Sequence, residues 1–153
     1  MIRYYCTKDR EELIELMQLN IPHYFALSEL EDFITYLDKN VEDYFVVEDS
    51  AKIIACGGIN YFPDQRQARF SWDVVHPDQH GKGIGKKLAR HRMDHIRQKT
   101  GIDLAVVRTS QMAYGFYQKM GFELKKIEKN YWEEGFDLYL MTQEVNKKPL
   151  SKK

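Results

Sequence analysis

The chain has 153 residues, and its hydrophobic fraction of 43% with 13% aromatic residues is typical of one globular domain with a packed core. Its 23 Lys and Arg residues balance its 23 Asp and Glu residues, so the charge favours no nucleic-acid partner. The N-terminal segment lacks the apolar core of a signal peptide, and no stretch is long and apolar enough to span a membrane. We therefore expect a cytoplasmic protein with no membrane partner.

No repeat, linker or low-complexity segment divides the chain, so we expect a single domain over residues 1–145. Residues 146–153 are basic and include a proline, which is typical of a disordered tail. The two cysteines, Cys6 and Cys56, lack the Cys-x-x-Cys or histidine spacing of a metal site. The sequence therefore predicts no bound metal.

Apolar periodicity predicts a strand, two amphipathic helices, a meander of three strands, a helix, a buried strand, another helix and a final hairpin. Ser28 opens the second helix, with Glu31 at the capping-box position. The predicted fold class is α+β, with a mixed, mostly antiparallel central sheet of about seven strands flanked by about four helices. The predicted strands cover residues 2–6, 44–48, 52–62, 67–76, 104–107, 122–127 and 136–141, and the later helices run from 83 to about 99 and from 110 to 120.

Three glycines at alternate positions follow the third strand of the meander and open a helix. Gly81, Gly83 and Gly85 carry no Cβ, so an anion can approach the free amides at the helix N-terminus closely. The alternative is a tight strand-to-helix turn with a solvated basic face. The spacing excludes a P-loop, because Lys86-Lys87 stands where Lys-Ser/Thr is required, and it disfavours a dinucleotide fingerprint.

A second group of residues lies in the last predicted helix. Ala113 and Tyr117 are one turn apart on the same face, and Phe116 lies beside them, before Gly121-Phe122 ends the helix. This pattern is equally typical of core packing, so taken alone it does not assign a function to Tyr117.

Together, these two segments resemble the GNAT superfamily of N-acetyltransferases, and the resemblance covers nearly the whole chain. The family signature Gln/Arg-x-x-Gly-x-Gly/Ala, after a strand ending in Val-x-Pro, is matched by His80-Gly81-Lys82-Gly83-Ile84-Gly85 after Val75-His76-Pro77. The later signature Asn-x-x-Ala-x-x-Phe-Tyr-x-Lys-x-Gly-Phe is matched from Ser110 to Phe122. The order of the predicted elements also matches the layout of the family.

The resemblance implies transfer of an acetyl group from acetyl-CoA to an amine. The CoA pyrophosphate would lie on the loop formed by His80, Gly81, Lys82, Gly83, Ile84, Gly85 and Lys86, and the backbone of Val74 and Val75 would pair with the pantetheine amides. The strand carrying Val75 and the strand ending near Val107 would splay to admit the thioester. Tyr117 would protonate the departing thiolate, and Ser110 stands where the family often has an asparagine near the pantetheine arm.

Two positions depart from the family pattern. His80 stands where glutamine or arginine is usual, so its side-chain contact differs, although the amide cradle does not depend on it. Arg69 stands where some members carry a glutamate base, and an arginine cannot act as a base at neutral pH.

Asp73 is the leading candidate for the base. Strand alternation predicts that Ser71, Asp73 and Val75 share one face, where partial burial would raise the pKa of the carboxyl. The alternatives are a structural role for Asp73 as a hydrogen-bond acceptor, a water relay, or His76, which is better explained as a turn residue.

The acceptor predicted from the sequence is a small amine or amino acid, in preference to a protein N-terminus or lysine. Asp73 or Asp137 would hold its ammonium group. A non-catalytic CoA-binding module and a protein or peptide N-acetyltransferase remain as alternatives. Dimers are common in the family, so a homodimer is compatible with the resemblance. In the family the acceptor usually enters between the early helix pair and the later strands. The resemblance therefore implies that the acceptor site is lined by His23, Tyr24, Phe25, Tyr61, Phe62, Tyr131, Trp132 and Asp137.

Overall fold

A computed structural model of the chain describes residues 1–145, so the predicted tail over 146–153 lies outside the described residues. Within them, seven strands and four α-helices confirm the predicted α+β class. No helix among these residues is both long and apolar enough to cross a bilayer. The elements are β1 (Ile2–Tyr4), α1 (Arg10–Leu19), α2 (Glu29–Lys39), β2 (Asp43–Asp49), β3 (Lys52–Phe62), β4 (Gln67–Val75), α3 (Ile84–Arg97), β5 (Leu104–Thr109), α4 (Tyr114–Lys119), β6 (Glu123–Glu133) and β7 (Phe136–Glu144).

The strands form one sheet in the order β1-β2-β3-β4-β5-β7-β6. Only β4 and β5 are parallel, and α3 connects them. Apolar side chains from α1 and α2 are buried against one face of the sheet, and those from α3 and α4 against the other. The helix pair of α1 and α2 therefore lies across the sheet from the helix that follows the glycine loop.

One helix cap and one helix start differ from the sequence predictions. The capping box of Ser28 and Glu31 is wrong, because Ser28 already has helical dihedral angles and makes no side-chain cap. Instead, the Glu29 carboxylate accepts a hydrogen bond of 2.8 Å from the Ala26 amide. The helix predicted from residue 110 begins at Tyr114, since Ser110 Oγ accepts from the Met112 amide and closes a turn before it.

A β-bulge interrupts β4 at Trp72. The register with β3 shifts between Cys56 and Gly58, and Trp72 adopts a left-handed φ of 46°. The Tyr44 hydroxyl donates a hydrogen bond of 2.7 Å to the Trp72 carbonyl and so holds the bulge.

The bulge changes which β4 side chains share a face. The prediction that Ser71 lies on the same face as Asp73 and Val75 is wrong, because the extra residue breaks the alternation. Ser71 Oγ donates to Asn60 Oδ1, which also accepts from the α2 residue Tyr36, whereas Asp73 contacts Arg92 of α3 on the other side of the sheet.

The predicted splay between β4 and β5 is confirmed. Among residues 1–145, the two strands pair from Gln67–Leu104 to Arg69–Val106, and the remainder of β4 has no strand partner on that side. The result is a gap in the middle of the sheet, bounded by the end of β4, the end of β5 and the N-terminus of α3.

Candidate active site

A cleft of about 1140 Å³ occupies the gap between β4 and β5. Of the candidate site residues, Val74, Lys82 and Ile84 do not line it. Val74 is fully buried on the sheet face that carries α1 and α2. The candidates that do line the cleft are Asp73, Val75, His80, Gly81, Gly83, Gly85, Lys86, Ser110 and Tyr117.

The glycine loop exposes the first amides of α3 to the cleft. Gly81 and Gly83 have φ values of 79° and 85°, which residues with a Cβ rarely adopt. The first bond of the helix runs from the Lys87 amide to the Gly83 carbonyl at 3.1 Å, so the three preceding amides have no intrahelical acceptor. At Gly85 a Cβ would lie 3.3 Å from the Phe116 ring, so the absence of a side chain lets α3 and α4 approach closely.

The backbone of Val75 faces the cleft. The amide of the next residue, His76, donates to the Ile54 carbonyl of β3 at 2.8 Å. Since antiparallel ladder bonds alternate in direction, Val75 directs its N–H and C=O away from β3, toward the gap. His80 Nε2 lies 3.0 Å from the Val75 carbonyl oxygen, which places the His80 ring at the same edge.

Tyr117 and Asp73 meet at the centre of the cleft. The Tyr117 hydroxyl donates a hydrogen bond to Asp73 Oδ2, while Asp73 Oδ1 lies 2.5 Å from Nη2 of Arg92. These last two buried atoms have no other hydrogen-bonding partner in the described part of the chain. Burial raises the pKa of Asp73, and the positive charge of Arg92 opposes that rise. The carboxylate thus has a cation on one oxygen and a proton donor on the other.

Arg92 is completely buried, and the sequence analysis missed it. Its Nη1 donates to the Gly58 carbonyl at 3.2 Å, and its guanidinium carbon lies 3.9 Å from the centre of the Phe70 ring. A signal for this burial was present in the sequence. Arg92 is one turn after Leu88 and one turn before Ile96, so it occupies the apolar stripe of α3.

The acceptor side of the cleft agrees in part with the predicted lining. Tyr24, Phe25, Phe62 and Trp132 line the cleft, and His23, Tyr61, Tyr131 and Asp137 do not. The proposed ammonium site at Asp137 is therefore wrong. Its carboxylate accepts a hydrogen bond of 2.9 Å from the Asn130 amide and belongs to the β6–β7 hairpin.

Polar residues that the sequence analysis did not select also line this side. Asn60 Oδ1 accepts hydrogen bonds from the hydroxyls of Tyr36 and Ser71 at 2.7 and 2.6 Å. Glu29 is buried beside the cleft, and desolvation raises the pKa of its carboxyl to about 7. Arg69 and Arg108 extend the polar lining along the two splayed strands.

The fold and the site define one class of α+β domain. Its seven-stranded sheet opens between two parallel strands, and a helix N-terminus lies at the opening. Within that class, the sequence model of the acetyltransferase (GNAT) domain matches residues 40–124, more than half of the chain. The chain belongs to the GNAT acetyltransferase family. The match includes β4, the glycine loop, β5 and Tyr117.

Individual relatives agree with this family. Over 83 residues, or 54% of this chain, the sequence is 30% identical to the amino-acid acetyltransferase of Mannheimia succiniciproducens, and the match spans 18% of that relative's length. The structure is similar to that of an aminoglycoside 6'-N-acetyltransferase complexed with coenzyme A, with a TM-score of 0.76, 14% identity and coverage of 97% and 99% of the two chains. It is also similar to the ribosomal-protein-S18-alanine N-acetyltransferase of Escherichia coli, with a TM-score of 0.78, 17% identity and coverage of 100% and 98%. At these identities the structural likeness shows the fold.

Proposed function

We propose that the chain transfers an acetyl group from acetyl-CoA to the primary amine of a small molecule, an amine or an amino acid. The observation that carries the proposal is the contact of Tyr117 with Asp73 at the centre of the cleft, beside a helix N-terminus with exposed amides. Family membership and the coenzyme A bound to one structural neighbour support acetyl-CoA as the donor.

The residues of the loop fit a CoA pyrophosphate. The amides of Ile84, Gly85 and Lys86 and the positive end of the helix dipole favour phosphate oxygens, and Lys86 adds charge at the cleft. The outward-facing N–H and C=O of Val75 suit a pantetheine amide. Its carbonyl has a second lone pair, so the contact with His80 does not block this bond. Ser110 lines the same cleft near the end of β5.

Val74 does not share this role in the proposal. It was expected to pair with pantetheine together with Val75, but its side chain is fully buried on the opposite face. Because ladder bonds alternate, its backbone groups point to β3 rather than to the cleft.

The thioester supplies the acetyl group, and the side chains of Asp73 and Tyr117 transfer the protons. A neutral amine forms the new C–N bond as the C–S bond breaks, so one proton must leave nitrogen and one must reach sulfur. Asp73 accepts the proton from nitrogen, Tyr117 gives its hydroxyl proton to the departing thiolate, and Asp73 then returns a proton to Tyr117. This order of transfers returns both side chains to their starting protonation states. It also avoids a phenolate beside an ionised carboxylate.

The alternatives are a CoA-binding module without catalysis and an enzyme that acts on a protein N-terminus. Neither is favoured by a specific feature of the cleft, and both are outcomes of the experiments below. The cytoplasmic location and the homodimer remain predictions.

Calorimetric titration with acetyl-CoA tests the loop assignment, using Gly83→Ala against Gly101→Ala. The two glycines have similar φ values, 85° and 83°, so the substitutions impose similar backbone strain, but Gly101 lies outside the cleft. We expect Gly83→Ala to weaken binding at least about tenfold, or ~1.4 kcal/mol, while Gly101→Ala binds like the parent. Equal affinities for both variants would contradict the loop assignment.

A further inference from the structure

Two arginines line the acceptor side of the cleft without a carboxylate partner. Among residues 1–145, neither Arg69 nor Arg108 has a carboxylate oxygen within ion-pair distance. Within the described part of the chain, the Arg69 guanidinium donates to the side-chain oxygens of Gln65 and Gln67, and that of Arg108 donates to the hydroxyl of Tyr131 at 2.6 Å. Both guanidinium groups retain N–H donors beyond these bonds.

The strand register places the two arginines on the same face of the sheet. Arg69 pairs with Val106 at the last β4–β5 contact, and Arg108 lies two residues further along β5. Residues two apart on a strand share a face, so Arg108 lies on the face of Arg69. Desolvation and the neighbouring charge of Arg108 lower the pKa of Arg69. Like charges on adjacent strands are unfavourable unless an anion neutralises them.

Aromatic rings hold both guanidinium groups in place. The Arg69 guanidinium carbon lies 3.9 Å from the centre of the Phe62 ring. The Arg108 carbon lies 5.2 and 5.6 Å from the ring centres of Tyr131 and Trp132. Such stacking limits the side-chain freedom that a ligand would otherwise have to restrict, and it leaves the edges of the planar groups available for hydrogen bonds.

A CoA pyrophosphate on the glycine loop would lie too far from Arg69 and Arg108 to neutralise them. Arg69 pairs with Asn60 and Val75 with Ala55, so the two positions are five β3 residues apart. At about 3.4 Å per residue this is roughly 17 Å along the sheet, and the glycine loop lies beyond Val75. Asp73 and Tyr117, where the amine must react, lie between the two ends. The carboxylates on this side have other partners, since Glu42 accepts from Tyr61 and Asn60 and Glu29 accepts from Ala26.

We propose that Arg69 and Arg108 bind a carboxylate of the acceptor, so that the acceptor is an amino acid rather than a simple amine. This inference rests on the acetyl transfer proposed above and adds the substrate class. Arginine is suited to this role because its planar donors match the two oxygens of a carboxylate.

Matched acceptors test the proposal. Thiol release from acetyl-CoA is measured with L-phenylalanine, L-methionine and L-glutamate, and with the amines that remain when the α-carboxylate of each is removed. The product from glutamate keeps its side-chain carboxylate and so reports which carboxylate is bound. The simple amines are those from phenylalanine and methionine, which carry no carboxylate. We expect Arg69→Gln and Arg108→Gln to raise KM for the amino acids about 10- to 100-fold with a smaller change in kcat, and to change KM for the simple amines much less. Arg97→Gln is the control, because Arg97 pairs with Asp94 outside the cleft.

Binding separates failure of this inference from failure of the proposed function. Calorimetry with the same amino acids and amines, in the presence and absence of CoA, requires no turnover. Amino-acid binding that is lost in both glutamine variants supports the carboxylate site even if no acetyl transfer occurs. Two results would overturn the carboxylate site, whatever the outcome for acetyl transfer. In the first, the parent protein uses or binds amino acids and simple amines equally. In the second, amino-acid binding and KM are unchanged in both variants.

Discussion

Replacing Arg92 with methionine isolates the buried ion pair beneath the reactive centre. The change removes the cation that lies 2.5 Å from Asp73 Oδ1 and leaves a carboxylate with a buried oxygen and no opposite charge. Loss of one partner from a buried pair costs about 3–5 kcal/mol. The Asp73 side chain is 21% exposed, so solvent relieves part of the penalty, and we expect a loss of about 3 kcal/mol in the free energy of unfolding.

The loss should depend on pH because only the ionised form of Asp73 is penalised. Without Arg92, the folded-state pKa of Asp73 rises further above its ordinary value of 3.8, so the variant is most destabilised above that pKa and recovers as the pH falls through it. Urea unfolding at about pH 8 and about pH 5 measures the difference. Combining Arg92→Met with Asp73→Asn should recover much of the loss at pH 8. A loss below about 1 kcal/mol, or one that is equal at both pH values, would refute the reasoning.

Two further substitutions test the surroundings of the cleft. Glu29→Gln should remove a pH dependence of stability. The folded-state pKa of about 7 exceeds the ordinary value of 4.5. As the pH rises from 4.5 to 7, the free energy of unfolding of the parent should therefore fall by up to about 3 kcal/mol relative to the variant, with no further change above pH 7. If urea unfolding shows the same change in stability with pH for the parent and the variant, the burial assigned to Glu29 is contradicted. Gly57→Ala would place a Cβ 2.2 Å from Asp73 Oδ1, so turnover should fall at least about tenfold while acetyl-CoA binding persists. Gly115→Ala, with nothing within 4 Å, is the matched control, and equal kcat values would count against the placement of Asp73.

Features determined by neighbouring residues were predictable from the sequence. Gly81 and Gly83 require left-handed backbone, and the apolar positions after them have helical spacing, so the loop and α3 were located correctly. The splay between β4 and β5 followed from the family resemblance. The predicted capping box failed locally, because Glu29 caps the Ala26 amide before Ser28 is reached.

Features that depend on contacts between distant segments were not predictable in the same way. The bulge at Trp72 requires Tyr44 on β2, and the space for Asp73 requires Gly57 on β3. Strand alternation alone therefore placed Ser71 on the wrong face. A pair of glycines inside a strand was an available signal for a bulge or a close approach. The charge on Arg92 concealed a residue that helical spacing places in the core.

The acceptor side was the least predictable part of the cleft. Its residues were chosen from the region where the acceptor usually enters in the family fold. Of the aromatic ones, Tyr24 and Phe25 before α2, Phe62 at the end of β3 and Trp132 near the end of β6 line the cleft. Tyr131 contacts Arg108 without lining the cleft, and Asp137 stabilises its own hairpin. Which side of a twisted hairpin faces a cleft depends on its register shifts, here between Glu128 and Glu133, and these have no local sequence signal.

The most direct test of the proposed chemistry compares Tyr117→Phe with the parent protein in acetyl-CoA titration and in thiol release with an amine or amino-acid acceptor. We predict that the parent releases one CoA for each acetylated acceptor. The variant should bind acetyl-CoA with unchanged affinity and lose turnover by about 10²- to 10⁴-fold, the range expected for removal of a general acid. Unchanged turnover in the variant would contradict the role of Tyr117. Acetyl-CoA binding by a parent that releases no thiol with any amine or amino acid would contradict the proposed acceptor and favour the alternatives, a binding module or an enzyme that acts on a protein N-terminus.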